Sequence, residues 1–598
     1  MRIPEFIIIF LCAILFTNCQ TKESNSKKDL NTTLLLNHTG YRSNEFKKVI
    51  LQSKSKANPS SFEIIDTQNQ VVFEGHFLNG GKIDNWHTGN AYSGDFSEFK
   101  KQGTYRVSTI INEEAIYSRE FSIDSKNLVD KSLPLLIEGI ESQHCVDEFN
   151  EKDKKMSFFG DREDIIDVKG GWYDASGDRG KYLSHLCYSN YFNPQQTPII
   201  VWNLLESVQQ YQQNSDSISD SLKIRMLDEA VFGADFLIRM QDPEGYFYTN
   251  VFANWSWDPE KREICAYEGQ DGVKTDKYKA GFREGGGIAI AALARASRDS
   301  EVGDFSSENY LDAAKLGFNH LIENNLKYID NGEKNIIDDY CALLAATELY
   351  AVTNANEYLE YARSRAKQLI NRISSDENYN GWWSANNDKS RPFFHGVESG
   401  LPLIALKRYL DFENNAELIE NTVNAIQKSI DFELSITNAV HNPFGYPRQY
   451  VKAVNESSAK AAFFIPHENE TGYWWQGENS RLASLVSAFN LTNDYMTKDQ
   501  KVAANKFIAN CNNWILGLNP YDVCMLDGLG YNNPDYKETV SLNFKGGVCN
   551  GITSGFSDEN DIAFMPLPQD NDPSHKWRWS EQWMPHSAWF ILAVTTSK

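Results

Sequence analysis

Runs of lysine or arginine are missing from this chain, and its formal net charge is −23. Without clustered cations nothing would neutralise a phosphate backbone, which excludes nucleic acid as a partner. Closely spaced cysteines are missing as well. Outside Cys12 and Cys19 they fall at Cys145, Cys187, Cys265, Cys341, Cys511, Cys524 and Cys549, an odd set with no C-x-x-C pair. That argues against a zinc site and against a disulfide framework. No EF-hand loop occurs, so neither a metal nor another cofactor is expected. The N-terminal apolar run, Phe6 to Phe16, falls short of the roughly 20 residues a membrane span needs.

What is present is apolar and aromatic. A hydrophobic fraction of 41% with 13% aromatics allows a large core and makes disorder a poor default. An acidic surface suits a neutral substrate. At the start, Met1-Arg2-Ile3-Pro4 leads into the short apolar run and then into Thr17-Asn18-Cys19-Gln20, the layout of a signal peptide. The cysteine directly after that run resembles a bacterial lipoprotein cleavage site. The expectation is a signal peptide over 1–18, a lipidated Cys19 and a polar tether over 19–31. Such a chain is secreted across the inner membrane and held at the outer membrane by its lipid.

A length of 598 residues suits one large domain and one smaller. Over 32–125 short β-type runs such as Val49-Ile50-Leu51, Phe62-Glu63-Ile64-Ile65 and Tyr105-Arg106-Val107 alternate with turn-rich stretches. They predict a small β-sandwich with a supporting role. Over 126–598 the period changes to that of helices, with about a dozen runs from near 198 to near 596 and almost no strand signal. A dozen antiparallel helices most economically close into two rings, a mainly α, α/α-barrel fold. Long aromatic- and glycine-rich connections at 244–284, 376–397 and 438–477 are suited to build a binding face.

Two segments could carry chemistry. Gly170-Gly171-Trp172-Tyr173-Asp174-Ala175-Ser176-Gly177-Asp178 sets two aspartates about a small-residue turn, and their repulsion would raise one pKa. Trp577-Arg578-Trp579-Ser580-Glu581 sets a glutamate among indoles just before the last apolar helix, where apolar neighbours raise a carboxyl pKa as a general acid requires. Cleaving a glycosidic bond takes two carboxyl groups, one on each side.

These segments resemble glycoside hydrolase family 9, the cellulase family, in its Gly-Gly-Trp-x-Asp-Ala-Gly-Asp turn and in its C-terminal spacing of Asp, aromatic and Glu, here Asp572, Trp577 and Glu581. Residues 234–245 and Gly517-Leu518-Asn519-Pro520 are similar to that family too. Asn37-His38-Thr39-Gly40-Tyr41 resembles its N-terminal immunoglobulin-like partner. The resemblance implies an (α/α)6 barrel and an inverting hydrolase. Asp178 would be the base, Asp174 would help hold the water, and Glu581 would be the acid. Three departures stand out: Ser176 lengthens the turn, leaving open which aspartate is the base; Trp583 and Ser587 follow Glu581 in place of a small residue and Asn; and 528–536 lacks the usual His and Arg.

Sugar contacts are expected from Trp172, Tyr173, His395, Glu398, Trp474, Trp475, Trp577 and Trp579. The leading reading is an inverting hydrolase of β-linked glucan, most simply an endo-β-1,4-glucanase. An exo-acting β-glucosidase or β-glucosaminidase of the same family is the alternative. A catalytically inactive glycan-binding lipoprotein is the alternative of another class.

Overall fold

The computed structural model describes residues 32–78, 80–125, 128–214, 219–299, 303–473, 475–537, 540–567 and 569–597. Cys19, the leader and the tether lie outside the described residues, as does Trp474. Among the described residues no helix is long and apolar enough to cross a membrane.

Ten strands open the described residues: β1 (Thr32–Leu35), β2 (Tyr41–Arg42), β3 (Lys48–Ser53), β4 (Ser61–Asp66), β5 (Val71–His76), β6 (Gly81–Lys82), β7 (Asn90–Asp95), β8 (Gly103–Ile111), β9 (Glu114–Tyr117) and β10 (Phe121–Asp124). They form two sheets, in the orders β1-β3-β7-β6 and β2-β10-β8-β4-β5, with β9 paired to β8. Between the sheets Leu34, Val49, Leu51 and Tyr92 of the first meet Phe62, Ile64, Tyr105, Val107 and Phe121 of the second. Side chains alternate across a strand, so Leu35, Ile50 and Ala91 point the other way. They are buried too, in the core of the helical body. The first sheet is therefore covered on both faces, and Val49-Ile50-Leu51 within β3 reads as an unbroken apolar run for that reason. Around this contact Trp86 packs on Phe463 and Trp514, and the Lys48 ammonium donates to the carbonyls of Pro443 and Phe444 at 2.9 and 2.8 Å.

Among the described residues fourteen α-helices follow: α1 (Leu128–Glu141), α2 (Asp147–Asp153), α3 (Thr197–Asn214), α4 (Asp220–Arg239), α5 (Gly287–Asp299), α6 (Ser307–Tyr328), α7 (Ile336–Thr353), α8 (Asn356–Asn371), α9 (Leu401–Leu410), α10 (Ala416–Asn438), α11 (Asn479–Leu491), α12 (Lys498–Ile515), α13 (Pro573–Ser580) and α14 (Met584–Thr595). Six of them pack in sequence, α3 on α5, α5 on α7, α7 on α9, α9 on α11, α11 on α14 and α14 back on α3. Six more lie outside: α4 against α3, α6 against α5, α8 against α7, α10 against α9, α12 against α11 and α1 against α14. Composition explains the sorting. Helix α7 is buried from Ile336 through Leu349 and α14 from Met584 through Thr595, with apolar residues all round, whereas α8 buries one stripe and shows charge on the other.

The near absence of strands expected after residue 126 does not hold. Short ladders pin the long connections, such as Asn250–Phe252 on Glu263–Glu268 and Gln449–Val451 on Lys460–Ala462. Two- and three-residue ladders leave no periodicity to read, because a strand needs four or more residues to show alternation.

Candidate active site

Gly170 and Gly171, at φ of 79° and 72°, turn the chain after α2 in a way a side chain would resist. The turn 174–178 that follows closes on itself, the Asp178 N–H donating to Ala175 O at 3.2 Å and the Asp174 N–H to Gly180 O at 3.0 Å. The C-terminal segment meets it directly. Helix α13 starts on Pro573 with the Asp572 carboxylate accepting from Ser574 N–H at 2.9 Å, and it ends where Glu581 turns extended (φ −61°, ψ 132°). Residues 581–583 then run beside the turn. Ser176 N–H donates to Gln582 O at 2.8 Å, Gln582 N–H to Ser176 Oγ at 3.1 Å, and Met584 N–H to Asp174 O at 3.0 Å. The extra residue Ser176 is thus the stitch that joins the two segments. A methyl group added to Gly177 would stand 2.8 Å from Glu581 Oε1, so the glutamate carboxyl lies over the turn beside Asp178.

Each aspartate oxygen is held by a donor. Asp178 accepts from Gly180 N–H at 2.7 Å and from the Tyr182 hydroxyl at 2.7 Å. Asp174 accepts from the Trp583 indole at 2.8 Å and from the Gln196 amide, with His185 Nδ1 3.4 Å away. Burial pushes the Asp174 carboxyl up to about 6; the nearby Asp178 charge adds to the rise, while His185 and the indole N–H oppose it. The donor atoms of Asp174, Asp178 and His185 lie within 4.8 Å of one another, a spacing that could hold a cation. A buried carboxylate pair beside a half-buried glutamate can take a proton from water on one side and deliver one on the other.

Aromatic rings enclose this group. Tyr267 stands edge-on to Tyr182 and His185, with centroids 6.4 and 5.7 Å apart, and Tyr188 packs beside it. Tyr473 interacts electrostatically with Glu581 and Tyr188, and the Arg578 guanidinium lies over its ring at 5.5 Å. Trp577 is half-buried, its indole N–H on Ser574 O at 2.9 Å and its ring edge-on to Tyr473.

Five of the expected sugar contacts are corrected. Trp172 is 1% exposed, its indole N–H given to Glu229 at 2.9 Å. Tyr173 packs on Phe149 and Cys145 and is no more buried than Asp174 beside it. Trp579 is wholly buried, and Trp475 stacks between Phe192 and Tyr473. His395 and Glu398 are both 0% exposed. Burial, with Arg391 nearby, drives His395 down to about 3, and its Nδ1 accepts from the N–H groups of Val397 and Glu398. Burial drives Glu398 up to about 8 against the hydrogen bonds from Tyr340 and Gln195. A ligand cannot reach groups that no solvent reaches. Residues passed over in the sequence are His185, Gln196, Tyr267, Tyr473 and Tyr536. Only His185 carried a signal, a titratable side chain seven positions after Asp178.

A carboxyl triad at the loop-lined end of a helical body is the equipment of a glycoside hydrolase. The family model described as glycosyl hydrolase family 9 matches residues 141–540, and that described as cellulase N-terminal ig-like domain matches residues 30–112. The chain belongs to glycosyl hydrolase family 9. Glu581 lies beyond the matched residues, and the backbone pairing through Ser176 brings it to the turn. A cellodextrinase of Butyrivibrio fibrisolvens is 22% identical over 371 residues, covering 57% of this chain and 61% of that protein. The chain therefore spans less than two thirds of that relative's length. Among solved structures, a metagenome-derived glycoside hydrolase family 9 endoglucanase superposes with a TM-score of 0.64 at 17% identity, covering 94% of this chain and 98% of that one. A thermostable endoglucanase of Alicyclobacillus acidocaldarius gives 0.64 at 16%, covering 94% and 99%. A family 9 protein of Bacteroides ovatus gives 0.59 at 19%, covering 94% and 98%. At these identities they speak for the fold.

Proposed function

We propose that the protein is an inverting hydrolase of β-linked glucan, most simply an endo-β-1,4-glucanase, on an (α/α)6 barrel whose inner ring is α3, α5, α7, α9, α11 and α14. Asp178 is the base that takes a proton from water, Asp174 holds that water, and Glu581 protonates the leaving oxygen. The observation that carries this reading is the junction itself: backbone pairing between 174–178 and 582–584 fixes the Glu581 carboxyl over Gly177, next to Asp178. Inversion needs acid and base about 6.5–9.5 Å apart, with room for water between. Half-buried Trp577 is suited to stack on a pyranose at the rim. The test is proton NMR of the first anomer released from cellotetraose: α-anomer is expected, and initial release of β-anomer would sink the assignment of Asp178 as a base.

One contact favours exo action as a second reading. The Tyr188 hydroxyl donates to Thr471 O at 3.3 Å, strapping two loops together beside the carboxyl groups, and the Arg391–Glu470 ion pair braces the same loop. A strap at one end of a trough limits it to chain termini. Early products from a soluble β-glucan decide: a ladder of oligosaccharides supports endo action, a single small sugar exo action.

We also place the protein at the bacterial outer membrane through an acylated Cys19. Labelling with a palmitate analogue that persists in Cys19→Ser would overturn this.

A further inference from the structure

Tyr536 lies outside every role assigned so far, yet it ends at the most constrained point of the site. The position of a methyl on Gly177 is 2.8 Å from Tyr536 Cε1, 3.1 Å from its hydroxyl and 2.8 Å from Glu581 Oε1. Phenol and carboxyl therefore converge on one spot above the turn. Tyr536 is 5% exposed, so its ring shuts water from that side.

Its placement is built with care. Asn533 Nδ2 donates to the carbonyls of Cys524, Leu526 and Leu529, each at 2.9 Å, and Asn543 Oδ1 accepts from Tyr536 N–H at 2.5 Å. Gln582, next to Glu581 in the chain, clamps the end of the same loop: its Oε1 accepts from Phe544 N–H at 2.6 Å and its Nε2 donates to Phe544 O at 3.0 Å. The N-terminal domain holds the loop's other end, with His38 stacked on Tyr531 at 3.4 Å and bonded to Asp522 at 2.9 Å. Three parts of the chain thus converge to set one phenol against one carboxyl.

We propose that Tyr536 is a positioning residue for Glu581, orienting its carboxyl through the hydroxyl and drying its outer side with the ring. This rests on Glu581 as the acid. Tyr473 lies near enough to Glu581 for their charges to couple, with the Arg578 guanidinium over its ring at 5.5 Å, and Asp178 follows Gly177 in the turn below the carboxyl. A hydroxyl donating to a carboxylate favours its charged form, whereas a ring that excludes water favours the neutral form. The two halves of the side chain therefore pull in opposite directions.

The test compares the full chain with Tyr536→Phe and Tyr536→Ala on cellotetraose and on 2,4-dinitrophenyl β-cellobioside, whose leaving group needs no protonation. Tyr536→Phe is expected to lower kcat on cellotetraose about tenfold with KM nearly unchanged, as loss of acid positioning does. Its alkaline limb should move to higher pH, and that of Tyr536→Ala, which loses the ring as well, should lie below that of Tyr536→Phe. Both variants should keep most of their activity on the activated substrate. If the limb of Tyr536→Phe coincides with that of the parent, or its activity on both substrates falls together, the proposal fails. Should Tyr536→Ala unfold, Tyr536→Phe alone decides. Glu581→Gln in parallel separates the two levels: cellotetraose turnover surviving that change defeats the acid assignment itself.

Discussion

The junction of turn and tail and the loop 391–398 carry the same ingredients, carboxyl groups, a histidine and aromatic rings, yet they have opposite solvation. At the junction every aspartate oxygen meets an N–H or O–H, and His185 and Glu581 keep part of their surface open. In the loop, His395 and Glu398 are shut in, and each is pushed toward its neutral form. Composition does not separate a site from a polar core; whether some of the titratable groups stay open to solvent does.

The comparison breaks most visibly at the carboxyl groups. Glu581→Gln and Asp178→Asn should each cost on the order of 10³-fold in kcat on cellotetraose with the fold intact. Steady-state rates with circular dichroism check this, and near-parental turnover by either variant would erase the contrast. Gly177→Ala comes next. Its methyl group would meet the Glu581 carboxyl and the Tyr536 ring, and a displacement near 1 Å should cost about 10²-fold in kcat.

On the buried side the effects move from rate to stability. Trp579→Ala removes a wholly buried indole and should cost about 3–5 kcal/mol in urea unfolding. Glu398→Gln addresses pH. A carboxyl held at about 8 in the folded state keeps a proton that the unfolded chain releases above its ordinary value. Its contribution is therefore complete at low pH and is lost as pH rises through about 8, with a slope on the order of 1 kcal/mol per pH unit. Glu398→Gln should flatten that fall between pH 5 and 8, while catalysis stays near that of the parent. The smallest effect belongs to Trp577→Ala, about a few-fold rise in KM for a half-buried stacking ring, read from initial rates.

Legibility followed chain distance. The inner helices could be read because α7 and α14 are apolar through many turns. Aspartates four apart in a glycine-bearing turn were visible in the same local way. Trp172 and Trp579 misled, because an indole beside a carboxylate looks alike in a cleft or in a core. Tyr473 and Tyr536 gave no signal; each gains its meaning from a partner on a distant segment.

By itself the sequence determined the alternation that makes ten strands and then helices, and the residue types able to exchange protons. Those are properties of neighbours along one chain, set by side-chain period and polarity. Only the tertiary structure decided which carboxyl groups share a wall, which histidine is sealed, and that Ser176 is a stitch between distant segments. Solvation and proximity arise from atoms hundreds of residues apart, and no local pattern encodes them.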